Sequence, residues 1–129
     1  WIDWNIVLDE RGGPNHVGNF CGAPIMIHRE TGEVYETPIF HILAQFSRTI
    51  RPGDRAVSVA VLAPTLEEDA LHVSATRNPD GLLSVQMLNT QEAPITLSLE
   101  IGDQSAEVLV PANALQTVRV RLNNPSEAV

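Results

Sequence analysis

The sequence predicts a mainly β chain: an antiparallel sandwich of Greek-key or immunoglobulin-like type, preceded by a small β region and one α-helix. Three observations carry that expectation. After Ile50 the chain settles into six short runs of alternating apolar and polar residues. Turn signals separate those runs every ~8 to 12 residues, the spacing of a sandwich. Only one stretch, from Pro38 to Arg48, switches to helical periodicity.

The elements follow in order. Asn5 to Leu8 and Ile25 to Ile27 read as short strands, and Thr31-Gly32-Glu33 turns the chain into Val34-Tyr35. Ile39, Ile42, Leu43, Phe46 and Ile50 then fall on one face at helical spacing, with Thr37 as N-cap and Pro38 at the first helical position. Arg51-Pro52-Gly53-Asp54 is a turn that marks the border between an irregular first half and a regular second half. Beyond it, Val57, Val59 and Val61 alternate with Ser58 and Ala60, and Leu71, Val73 and Ala75 with His72 and Ser74. Asn78-Pro79-Asp80-Gly81 turns into Leu83, Val85 and Met87. Ile95, Leu97, Leu99 and Ile101 form the cleanest alternation, and Gly102-Asp103 turns it into Ala106, Val108 and Val110. Val118, Val120 and Leu122 close the set after Pro111-Ala112-Asn113.

Composition narrows the function classes. With 129 residues, 43% hydrophobic and 19% charged, the chain is long enough to bury a core and too apolar for disorder. No run approaches the ~18 to 20 apolar residues of a membrane span. Sixteen acidic residues against eight basic ones give a net charge of −8, which opposes nucleic-acid backbones and anionic membrane surfaces. All of the basic residues are Arg. The single cysteine, Cys21, has no internal disulfide partner and suits a small buried thiol. Trp1 is preceded by no Met, and no basic stretch or cleavage motif follows it. No secretory leader is therefore expected here, and the residues read as a piece of a longer chain.

The chemistry-bearing residues are few. His16, His28, His41 and His72 show no i, i+4 pair and no His-Glu-x-x-His, so no metal site and no cofactor is expected. His41 and His72 suit the surface. A retaining glycosidase needs two carboxyls roughly 5 to 5.5 Å apart. Asp9 and Glu10 are adjacent, and neighbours on an extended chain point to opposite sides. Glu67-Glu68-Asp69 reads as a solvated edge. No catalytic residue is therefore assigned. Trp1, Trp4 and Phe20 instead lie close in sequence to Asn5, Asn15, Asn19 and a Gly-Gly-Pro turn. Aromatic faces beside amides suit a sugar, whose C–H faces stack and whose hydroxyls need hydrogen-bond partners. A Trp-rich packing seam accounts for the same residues.

Asp3-Trp4-Asn5, Leu8-Asp9, Gly12-Gly13-Pro14-Asn15, Asn19-Phe20 and Ala23-Pro24-Ile25 closely resemble family 30 of the glycoside hydrolases, nearest the glucosylceramidase (acid β-glucosidase) subgroup. The likeness continues through Pro38, Phe40, Phe46-Ser47 and Ile50-Arg51-Pro52-Gly53. It implies that residues 1–50 are the end of a (β/α)8 barrel: its last strand, an active-site loop with short strands, and its last helix. Residues 51–129 would be the C-terminal sandwich. The catalytic pair of such enzymes would precede Trp1, so this chain alone is expected to be inactive. Trp4 and Asn19 match positions that contact the sugar in the innermost subsite. His16 departs from the Trp that the family often carries after the Gly-Gly-Pro-Asn turn. The expected partner is a β-glucoside or related glycan, met through the barrel. The resemblance also implies missing sandwich strands, and an open sheet edge is then expected to lead to self-association. The competing expectation is a stand-alone sandwich that binds carbohydrate or protein; an upstream Asn-Glu-Pro and a second Glu would decide between them.

Overall fold

The computed structural model describes residues 3–63 and 65–121. Trp1, named above among the aromatic residues, and Leu122, named as the end of the last strand, lie outside them. Between Arg48 and Thr49 the chain divides into two compact units.

The first unit holds a three-stranded sheet in the order β1 (Val7–Asp9), β2 (Ile25–Ile27), β3 (Val34–Glu36). β1 pairs parallel to β2, and β2 antiparallel to β3. Leu8, Ala23 and Met26 form its small core, with Cys21 packed against them. β1 starts at Val7, two residues later than the alternation suggests. Asn5 takes a φ of 28°, outside the extended region, and so holds off the start of the strand.

Helix α1 (Pro38–Thr49) occupies the predicted segment and runs one residue longer. Its start differs in detail from the expected cap. The Thr37 carbonyl accepts from the Phe40 N–H at 3.0 Å. The Thr37 hydroxyl, however, donates backwards to the carbonyls of Ala23 (2.8 Å) and Pro24 (3.1 Å). Pro24 O also takes the Thr37 N–H at 2.9 Å. Thr37 therefore moors the helix start to the strand-entry segment. None of the helix residues is buried, and Ile39 and Ile42 remain exposed.

The second unit is the sandwich. One sheet has the order β4 (Arg55–Val57), β5 (Leu71–Arg77), β6 (Leu82–Asn89), β9 (Ala114–Arg121); the other is the hairpin β7 (Ile95–Ile101) and β8 (Gln104–Val110). All pairings in this unit are antiparallel. The chain thus leaves the first sheet after β6, makes a hairpin in the second, and returns beside β6. Ala75, Leu83, Val85 and Met87 face Val108 and Val110 across the core, joined by Val73, Leu97, Leu99, Ile101, Val118 and Val120. Val85, Met87 and Val110 are at most 2% exposed, and each buried side chain of this size contributes about 1.5–3 kcal/mol.

The other face of β6 is also buried, but polar. Ser84 Oγ donates to Thr49 O at 3.2 Å, Gln86 Nε2 to Thr49 Oγ1 at 3.1 Å, and Ser74 Oγ to Gln86 Oε1 at 3.3 Å. The expected strand through Val59 and Val61 is not formed. β4 stops at Val57, where its pairing with Ala75 ends, and the segment 58–63 has no partner strand among the described residues. It instead borders an apolar cleft of about 720 Å³ whose walls include Val59, Val61, Val73, Leu97 and Leu99.

Candidate functional site

The residues suited to a sugar all belong to the first unit, on the chain before β1 and on the loop between β1 and β2. The loop is built outward from Asp9 at the end of β1. Asp9 Oδ1 accepts the N–H of Gly13 at 2.7 Å and of Arg11 at 2.9 Å. Asp9 N–H donates to Gly13 O at 2.7 Å, and Gly12 N–H to Asp9 O at 2.9 Å. Asp9 Oδ2 lies 3.6 Å from Arg29 Nε, an ion pair with an exposed arginine that adds little. The peptide between Gly13 and Pro14 is cis.

Gly12 is needed here for two reasons. Its φ is +72°, and a Cβ would sit 2.5 Å from Cys21 N and 2.8 Å from Phe20 Cα, so the turn lies against the returning arm of its own loop. Asn15 Nδ2 then donates to Gly12 O at 2.9 Å, and Asn15 Oδ1 accepts the Asn19 N–H at 3.2 Å.

The two acidic residues of this loop are engaged by the backbone. The Gly13 N–H above all holds the Asp9 carboxyl below its usual 3.8; burial opposes it, and the Arg11 N–H and the charges of Arg29 and Arg11 add to the lowering. The Arg29 N–H, at 3.0 Å from Glu10 Oε2, likewise holds Glu10 below its usual 4.5. A general acid needs a raised pKa, and both shifts run the other way.

Trp4 is 77% exposed and Phe20 79%, and Asn19 and His16 are exposed as well. Trp4 N–H donates to Asp3 Oδ1 at 2.9 Å, and Asn19 is held through its backbone by Asn15. No hydrogen bond or ring contact joins Trp4 to Asn19 among the described residues. Both stand on the first unit, free of the small core that Leu8, Ala23 and Met26 make. The organising role of Asp9 and Asn15 goes beyond what the sequence alone indicates; its one signal is their placement four residues before Gly13 and Asn19. His41 lies at the surface, 3.7 Å from Glu36, and His72 is exposed.

Comparison with known proteins matches this architecture in order. Residues 1–50 match the glycosyl hydrolase family 30 TIM-barrel domain, and residues 56–118 the glycosyl hydrolase family 30 beta sandwich domain. Putative glucosylceramidase 4 of Caenorhabditis elegans is 32% identical over 123 residues, covering 92% of this chain and 23% of the relative. The lysosomal acid glucosylceramidase of Mus musculus is 35% identical over 100 residues, covering 76% of this chain and 19% of the relative. The crystal structure of SrfJ from Salmonella typhimurium superposes with a TM-score of 0.81 at 26% identity, over 94% of this chain and 26% of that one. The chain thus spans under a quarter of the length of these curated relatives. With a barrel-end segment and a sandwich matched consecutively to one family, this chain belongs to glycosyl hydrolase family 30, in the region where its barrel gives way to its C-terminal β-sandwich.

Proposed function

We propose that the chain is the C-terminal part of a retaining β-glycosidase that cleaves β-glucosidic bonds, and that Trp4 and Asn19 line its innermost sugar subsite. The names of the relatives, glucosylceramidases, support a β-glucoside of a lipid as the substrate class. One observation carries the reading. The carboxylates of Asp9 and Glu10 are committed to backbone amides, whereas the side chains of Trp4, Asn19 and Phe20 stand exposed and, among the described residues, make no hydrogen bond of their own. That is the division expected of a segment that recognises a sugar and leaves bond cleavage to groups elsewhere.

Each residue has a definite task. Trp4 offers an indole N–H to a hydroxyl and a ring face to sugar C–H groups. Asn19 offers a carboxamide that both donates to and accepts from a hydroxyl. Proton transfer and nucleophilic attack belong to two carboxyls of the complete enzyme, one of them with a raised pKa. The sandwich serves as the structural platform.

The test is substitution in the full-length protein. Trp4→Ala and Asn19→Ala should each lower kcat/KM for an aryl β-glucoside by about tenfold or more, the scale of a lost hydrogen bond or ring contact in a site. An unchanged rate for either removes that residue from the subsite.

A further inference from the structure

We propose that Asn15 is a positioning residue for sugar recognition, setting the place of Asn19 through the backbone. The inference rests on the reading of Asn19 given above. Its basis is the way the Asn15 carboxamide is used. Nδ2 donates to Gly12 O at 2.9 Å, and Oδ1 accepts from Asn19 N–H at 3.2 Å. One end of the amide therefore grips the fixed part of the loop, and the other grips the residue to be placed.

Gly12 is the fixed part. It is buried, its N–H is held by Asp9 O at 2.9 Å, and its α-carbon lies against the backbone of Phe20 and Cys21. The carried part has no other restraint of this kind. Among the described residues, the bond from Asn19 to Asn15 is the single hydrogen bond made by residues 16–19. That stretch contains Gly18, with a φ of +64° and nothing near the position of a Cβ. Holding the Asn19 N–H on one side, with the Phe20 backbone against Gly12 on the other, restrains the backbone from which the Asn19 side chain projects and leaves its two side-chain torsions to be set by the sugar.

Packing does not explain Asn15, because the side chain is exposed. Its chemistry does. A carboxamide donates at one atom and accepts at the other. An ionised Asp would set a second acceptor against the Gly12 carbonyl, and Ala would supply neither group.

The test uses the full-length protein and an aryl β-glucoside, with kcat and KM measured separately. Asn15→Ala should lower kcat/KM by about fivefold to tenfold, the scale of one hydrogen bond. It should cost nothing further in an Asn19→Ala background, because the two act as one unit. Asn15→Asp supplies a second readout, whose pH dependence should vanish in an Asn19→Ala background, which a merely structural role would not bring about. Its activity relative to the unsubstituted protein should rise as pH falls through the introduced carboxyl's pKa, where protonation restores a donor to Gly12 O. This variant keeps the acceptor for Asn19, so it carries the test if Asn15→Ala does not fold. Full activity of Asn15→Ala, multiplying losses in the double variant, or a pH-independent ratio for Asn15→Asp would each overturn the proposal. If Asn19→Ala is impaired while Asn15→Ala is not, only the positioning role fails. If Asn19→Ala is fully active, the subsite reading fails and takes the positioning role with it.

Discussion

Asp9 and Gly13 hold each other by two backbone-anchored bonds of 2.7 Å: the Asp9 N–H donates to the Gly13 carbonyl, and the Gly13 N–H donates to the Asp9 carboxylate. The second bond is strongest with the carboxylate ionised, since a neutral carboxyl oxygen is a poorer acceptor. Because the folded pKa of Asp9 is depressed below 3.8, the stabilisation is fully present above that value. It is lost as pH falls through the lower folded pKa. Amide hydrogen exchange at Gly13 should therefore be slow and pH-normal above about pH 5 and lose protection in strong acid. In Asp9→Ala the protection should be weak at every pH. Equal protection in the two proteins would contradict the role given to the carboxylate.

Two glycines of the same loop should respond oppositely to a methyl group. In Gly12→Ala the added carbon meets the Cys21 and Phe20 backbone at 2.5 and 2.8 Å, at a positive φ that alanine disfavours. Gly22 has nothing within 4 Å and no positive φ. Gly12→Ala should lower thermal stability by several degrees, since a clash with backbone is relieved only by moving the chain. Gly22→Ala should change it little. Similar melting temperatures for the two variants would refute the packing described for the turn.

Asn89 is the polar anchor of the sandwich. It is fully buried, and its Nδ2 lies 2.9 Å from Ala93 O, 2.9 Å from Pro111 O and 3.2 Å from Val110 O. Its Oδ1 accepts the Gln91 N–H at 2.8 Å. Two hydrogens serve the two nearer carbonyls, with Val110 O as a weaker third acceptor. One side chain thus ties the end of β6 both to the chain leading into β7 and to the end of β8. Asn89→Leu should cost about 1–3 kcal/mol or more, from groups left unpaired inside the protein. Denaturant melts of the chain would measure it, and a loss below ~0.5 kcal/mol would argue against the role.

How legible this structure is in the sequence depends on what each signal reports. The alternation Ile95 to Ile101 specifies a strand because one face is buried in the core, and β7 forms there. Helical spacing and Pro38 likewise place α1. The same period-two signal at Val59 and Val61 marks faces but cannot supply a partner, and pairing stops at Val57. Thr37 shows a second limit. Its position at the helix start is readable, but the direction of its hydroxyl depends on Ala23 and Pro24, brought there by β2. Asp9 illustrates the same point: extended-chain geometry separates it from Glu10, yet its bonds to Gly13 follow only once the loop closes.

Among the described residues the sandwich leaves strand edges open, and we propose that the isolated chain self-associates through them. Among the described residues β7 and β8 pair only with each other, and the walls of the adjoining cleft of about 720 Å³ include Val59, Val61, Leu97 and Leu99, with Ser98 and Glu100 beside them. Unpaired edges beside apolar surface accept a further strand. The net charge of −8 opposes this, but at physiological salt it is screened over ~8 Å. Sedimentation at micromolar concentration should show species above 14.1 kDa, more of them as salt is raised. A clean monomer across the concentration range would contradict the proposal.

Turnover of an aryl β-glucoside, compared between the full-length protein and this 129-residue chain alone, tests the central claim most directly. Retaining hydrolysis needs an acid and a nucleophile on either side of one bond, whereas Asp9 and Glu10 are held by backbone amides at lowered pKa. The full-length protein should hydrolyse the glucoside, and the isolated chain should match a buffer blank. Hydrolysis by the isolated chain that disappears in Asp9→Asn or Glu10→Gln would contradict the account, as would a well-folded full-length protein with no activity on any β-glucoside.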